Sequence, residues 1–208
     1  MRRYLPLLLA LALPLRGAVL DLTANDSGVT IRGAHRGDPI LLLGFQRTVR
    51  GYDPVFRRIV RILDADANGE TQFVAQEPLR GDVFWVAVDL TSGAFASGVP
   101  DGRLARGSDL PAAALIKGPN GEIEDIEADG DHAFLVLVRP GAGAWQGTIG
   151  DGSPSDRDGR ANGKLKLDVS DLESLSGAEE PPENLADGDV ILIVPTHRMT
   201  YFAGVVKK

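Results

Sequence analysis

Four short segments of this chain are apolar at every position: Ile40–Leu43, Phe84–Val88, Phe134–Val138 and Val190–Val194. A strand with one face in water alternates apolar and polar residues, because successive side chains point to opposite faces. A continuous apolar run bounded by turn residues therefore marks a strand covered on both faces. Any fold of this chain must supply two covers for each of the four. Elsewhere, short apolar runs are separated by Gly, Pro, Asn and Asp, with 25 Gly and 13 Pro among 208 residues. That composition favours short strands and tight turns over long helices, and the expected fold class is all-β. Further strands are expected near Val19–Thr23, Val29–Arg32, Val55–Leu63, Thr71–Gln76, Ala94–Ser97, Ile123–Ala128, Trp145–Ile149, Lys164–Val169 and Tyr201–Val206. One or two helical turns are expected from Ser170-Asp171-Leu172-Glu173, a capping-box pattern followed by Leu175 and closed by Gly177.

The four runs are spaced as a repeat. Ile40–Leu43 and Asn68-Gly69 recur 94 residues later as Phe134–Leu137 and Asn162-Gly163. Gly81-Asp82-Val83-Phe84 and Phe95-Ala96 recur 107 residues later as Gly188-Asp189-Val190-Ile191 and Phe202-Ala203. Matching order and spacing point to a tandem duplication. The second copy is longer by about 13 residues, placed in the helical turn and the acidic, Pro-containing loop Glu179–Asp187.

Met1–Ala18 has the layout of a secretory signal: Arg2 and Arg3, then the apolar Leu5–Leu15 interrupted by Pro6 and Pro14, then Gly17-Ala18. No stretch is long enough to expect a transmembrane segment. The expected location is therefore secreted or periplasmic. The net charge of -7 would fall to about −10 on losing Arg2, Arg3 and Arg16, which argues against nucleic acid as a partner. The chain has no Cys, which excludes disulfides, thiolate-bound metals and thiol catalysis. Stability must come from packing, or from packing and a bound ion.

The segment Asp64-x-Asp66-x-Asn68-Gly69-Glu70 sets oxygen donors at alternate positions and Gly at the sixth, as in the first half of a calcium loop. Position twelve is Ala75, so the bidentate Glu is missing, and the flanks read as strands. The same residues fit a plain hairpin, for which Asn-Gly is the strongest short signal. In the second half, Asp151, Asp156, Asp158 and Asn162 could surround a cation or form a long polar turn. Calcium is the expected ligand wherever these oxygens converge.

Val55–Leu63 carries Arg57 and Arg61 on one face and Arg58 on the other. These read as charges protecting an edge strand, or as a small anion-binding stripe. His35, His132 and His197 sit beside turn residues, far apart in sequence. Trp85 lies in an apolar strand and belongs to a core. Trp145 fits a core or an exposed stacking surface. No nucleophile elbow, zinc-binding helix or phosphate loop is present.

In strand spacing, export signal, Asp-rich hairpins and duplication, the chain resembles the tandem immunoglobulin-like β-sandwich modules of secreted bacterial proteins. The resemblance implies a signal peptide at 1–18, one sandwich at 19–100, a linker at 101–111 and a second sandwich at 112–208 with an acidic insertion near 171–187. It implies a non-catalytic binding or structural role, with a protein or glycan partner of the envelope or extracellular space. The alternative is an extracellular hydrolase that uses acidic residues.

Overall fold

The computed structural model describes residues 20–25, 27–35, 37–48, 52–61, 71–74, 83–98, 106–109, 123–127, 132–154, 156–175, 180–196 and 200–206. Met1–Ala18, expected to be a secretory signal, lies outside them. The first half contributes β1 (Asp21–Asn25), β2 (Gly28–Arg32), β3 (Pro39–Arg47), β4 (Tyr52–Arg61), β5 (Thr71–Val74), β6 (Val83–Asp89) and β7 (Phe95–Gly98). The chain continues through β8 (Arg106–Asp109), β9 (Ile123–Glu127), β10 (His132–Arg139), β11 (Gly143–Gly150) and β12 (Lys164–Leu167). It ends with β13 (Glu173–Ser174), β14 (Val190–Pro195) and β15 (Thr200–Val205). The fold is all-β. In place of the expected one or two helical turns there is a single 3-10 turn at Val169–Asp171, entered through Asp168, and Glu173–Ser174 is strand instead because it pairs with β11.

Four sheets form, with strand orders β1-β2-β5, β4-β3-β6-β7, β13-β11-β10-β14-β15-β8 and β12-β9. All pairings are antiparallel except β15 with β8. β8 falls inside the polar segment 101–111 that the sequence offers as a linker. The sheets stack as four layers. Leu22, Val29 and Ile31 of the first sheet bury against Ile40, Leu42 and Trp85 of the second. Leu165 and Leu167 of β12 bury against Leu135, Leu137, Ile191 and Ile193 of the large sheet. Between these outer cores lies a third, made by the two central sheets facing one another.

The central core explains the continuous apolar runs. Leu41, Leu43 and Phe45 of β3, with Phe84, Val86 and Val88 of β6, meet Phe134, Val136 and Val138 of β10 and Val190, Leu192 and Val194 of β14. The Phe45 ring stacks on Phe84 at 5.0 Å between centroids and meets the edge of Phe134 at 5.6 Å. Alternate residues of the same strands serve the outer cores. Each half thus covers one face of the other's central sheet. The two facing sheets have the same internal order, β4-β3-β6-β7 and β11-β10-β14-β15.

Pairing register sharpens this correspondence. Leu41 pairs with Val88, and Phe134 with Val194. Leu43 pairs with Val86, and Val136 with Leu192. All eight face the central core, so the strands correspond at offsets of 93 and 106. The sequence spacing of 94 and 107 is one residue out. A one-residue slip exchanges the two faces of a strand, and it would set Ile40, an outer-core residue, against Phe134, a central one.

At one end of the seam two turns clasp. The Gly141 N–H donates to the Leu90 carbonyl at 2.8 Å. Gly93 has φ 76°, and a Cβ there would lie 2.7 Å from the Pro140 ring; only Gly suits both demands. Phe45 touches both halves, so Phe45→Ala should lower unfolding free energy by about 3–5 kcal/mol. Urea denaturation measures this; a loss below about 1 kcal/mol would contradict a shared core.

Candidate functional site

Asp89, Asp151, Asp156, Asp158, Asp168 and Asp189 are working parts of the fold. Asp89 is fully buried at the end of β6. Its carboxylate accepts from the Thr91 N–H at 2.8 Å, the Ser92 N–H at 3.3 Å and the Ser92 hydroxyl at 2.6 Å, closing the β6–β7 turn. Asp189, 1% exposed, opens β14. Arg139, the last residue of β10, donates to it twice: Nε to Oδ1 at 2.9 Å and Nη2 to Oδ2 at 2.8 Å. Nη2 also reaches the Asn184 carbonyl, and the Ala186 N–H donates to Asp189 Oδ2 at 2.7 Å. Every oxygen of the buried carboxylate is thereby satisfied, as a desolvated ion pair requires. Donating to Asp189 strengthens the charged form of Arg139 against the desolvation that burial imposes. A pocket of about 400 Å³ opens beside this pair, lined by Ser92, Gly93, Pro140 and Val205 among others. No sequence signal flagged this pair, since its members lie 50 residues apart.

The loop from β11 to β12 gathers Asp151, Asp156, Asp158 and Asn162, but it closes on its own backbone. Asp151 accepts from the Asn162 and Gly163 N–H groups at 3.3 and 2.8 Å. Asp156, 3% exposed, accepts from the Gly152, Asp158 and Lys166 N–H groups. Asp158 accepts from the Arg160 N–H at 2.7 Å and the Asn162 amide at 3.3 Å. Asn162 caps Lys164 at 3.0 Å. Backbone donors thus reach the same oxygens that the sequence offers to a cation. Among the described residues no three of His, Cys, Asp and Glu are placed to hold a metal ion. Asp64, Asp66, Asn68 and Glu70 lie outside the described residues, as does His197. His35 and His132 are exposed, and His35 stands 3.4 Å from Asp38. Trp85 and Trp145 are each 2% exposed, in the outer core of the first and second half respectively.

Asp168 accepts from the Ser170 N–H at 2.9 Å and its hydroxyl at 2.8 Å, while Arg157 reaches it at 2.8 Å. Burial alone would raise the Asp168 carboxyl. The Ser170 donors and then Arg157 outweigh it and hold the group below the usual carboxylate range.

A second opening, of about 350 Å³, lies where β4 borders the central core. Leu43, Phe45 and Phe134 form its floor, and Pro54, Val55, Phe56 and Arg57 its rim. Among the described residues β4 pairs with β3 alone, so it is an edge strand. Arg57 and Arg58 are exposed on it, and Val55 is 52% exposed.

Asp189→Ala should cost about 3–5 kcal/mol in denaturant unfolding, because it strands a part-buried guanidinium. Replacing both partners, Arg139→Met with Asp189→Leu, should recover most of that loss. For Asp168 the folded pKa lies below the unfolded one, so the unfolded chain binds more protons in acid. Its stabilisation is full above the unfolded pKa and fades as pH falls through the folded one. Between about pH 6 and pH 3 the wild type should therefore lose more stability than Asp168→Asn. Comparison of the chain with known protein families, characterised proteins and solved structures finds no match.

Proposed function

We propose that this chain is a non-catalytic exported module that binds a protein or glycan of the envelope or extracellular space. It is built from two duplicated β-sandwich units resembling immunoglobulin-like domains. The observation that carries this reading is how the acidic side chains are used. Asp89, Asp151, Asp156, Asp168 and Asp189 each accept two or more hydrogen bonds that hold turns, loops or strand ends. A hydrolase would need carboxyl groups free to exchange protons with a substrate. Loops and the β4 edge supply contact surface instead. The signal-like Met1–Ala18 supports export, and the matching strand orders support duplication.

N-terminal sequencing of the extracytoplasmic protein tests export: a chain beginning after the signal region is expected, and an intact Met1 in the cytosol would contradict it. Affinity capture from envelope extracts, alongside polymer-hydrolysis assays on the same sample, tests the binding role. Retention of one envelope component without hydrolysis is expected, and turnover of a polymer would overturn the reading.

Calcium enters this proposal at the Asp64–Glu70 loop. Lacking the twelfth-position Glu, the loop should bind it weakly, with Kd on the order of 10⁻⁴–10⁻³ M. At ten times Kd, binding to the folded state adds about 1.4 kcal/mol. The melting temperature should rise with calcium, return with chelator, and respond little in Asp66→Ala. A calcium-independent melt would leave a plain Asn-Gly hairpin.

A further inference from the structure

The two central sheets correspond strand for strand, yet among the described residues their outer edges are finished differently. In the large sheet, β11 is capped by β13. Ser174 pairs with Trp145 and Glu173 with Gln146, and the Leu175 N–H donates to the Ala144 carbonyl at 2.7 Å. Leu175 packs against the central core at that corner. Leu172 lies over Gly147, where a Cβ would come within 2.8 Å of it. The segment 172–175 therefore lies along an edge strand and plugs the end of the seam with its last leucine.

In the other sheet β4 stands in the place of β11. The registers equate Arg57 with Gln146, since Arg57 pairs with Leu43 as Gln146 does with Val136. In the same way Arg58 matches Gly147, Phe56 matches Trp145, and Pro54 matches Ala144, with Val55 an extra residue at the bulge of this strand pair. Pro54, Val55, Phe56 and Arg57 are the rim of the 350 Å³ opening. The opening thus occupies the place that Leu175 fills on the other side. The connection that supplies the plug is long in the second half, residues 168–189, and short in the first, residues 75–82.

We propose that the β4 edge takes an extended, acidic, leucine-containing segment of a partner protein, added antiparallel as a further strand. This rests on the binding-module reading and names its site and the chemistry of its partner. Main-chain pairing gives such docking its affinity, and side-chain pockets give it specificity. The pairing that sets Glu173 against Gln146 sets the equivalent residue of the guest against Arg57, on the side of the seam. The residue before it meets Arg58 in place of Gly147. The arginine stands at the position of the glycine that Leu172 covers, and it favours a second acid there. Two residues after the first acid, an apolar side chain falls over Pro54 into the opening. The same arginines oppose edge-to-edge pairing of two copies, which would bring like charges together.

The test uses the purified full chain and a fluorescein-labelled peptide, Ser-Asp-Glu-Glu-Ser-Leu-Ser, which copies residues 170–176 with Glu in place of Leu172. Fluorescence anisotropy should show saturable binding that weakens with salt. Arg57→Glu with Arg58→Glu should weaken it about tenfold or more, while Arg160→Glu, on a distant exposed loop, should not. Replacing both peptide glutamates by Lys should abolish binding. Absence of binding, or binding indifferent to the Arg57 and Arg58 changes, would overturn the proposal and leave the envelope-capture result standing by itself. Sedimentation of the chain alone covers the rival occupant. A dimer that dissociates on the same double substitution would assign the edge to a second copy and overturn the partner segment.

Discussion

Everything in this molecule depends on the apolar contact between its two central sheets. Among the described residues, Leu41, Leu43, Phe84 and Val86 from one half are buried against Phe134, Val136, Val190 and Leu192 from the other. Each such side chain gains about 1.5–3 kcal/mol on leaving water. Separated, either half would present a full sheet face of Leu, Val and Phe to solvent, a patch that invites association. The outer sheets are secondary to this contact. They cover the remaining faces of strands whose positions the seam has already set.

The polar architecture serves the same end. Asp89 and Asp189, both buried, lie at the ends of β6 and β14, where apolar strands must turn. Asp89 closes its turn by accepting from Thr91 and Ser92. Asp189 binds Arg139 across the β10–β14 pair and fixes the loop at Asn184 and Ala186. Carboxylates so placed substitute for missing backbone partners. In this aspartate-rich chain Asp89, Asp151, Asp156, Asp158, Asp168 and Asp189 are all engaged with its own donors. This leaves the arginine-bearing β4 edge as a contrast, a basic, half-apolar border on a protein of net charge -7.

Much of this was legible in the sequence, for reasons that can be located. Uninterrupted runs such as Phe134–Val138 announced two covered faces, and turn residues announced the strand ends. Arg57 and Arg58 announced an edge. The register was not legible, because a run that is apolar at every position looks the same when shifted by one. Only the partner across the seam distinguishes Ile40 from Leu41. For Asp151, Asp156, Asp158 and Asn162, spacing shows the oxygens and hides the backbone N–H groups that reach them. The Arg139–Asp189 pair and the pairing of β8 with β15 are tertiary, with no local pattern to betray them. The roles of the Asp64–Glu70 loop and of Met1–Ala18 rest on the sequence alone.

The shared core makes one demand on folding: the halves must unfold together. Trp85 and Trp145 report on them separately, since each lies in the outer core of its own half. Equilibrium urea unfolding of the single-tryptophan variants Trp145→Phe and Trp85→Phe, each followed by fluorescence and by circular dichroism, tests this directly. Within each variant the local tryptophan signal and the global backbone signal should coincide in one transition. A tryptophan transition separated from the backbone curve, with one half melting while the other persists, would show independent sandwiches and contradict the account.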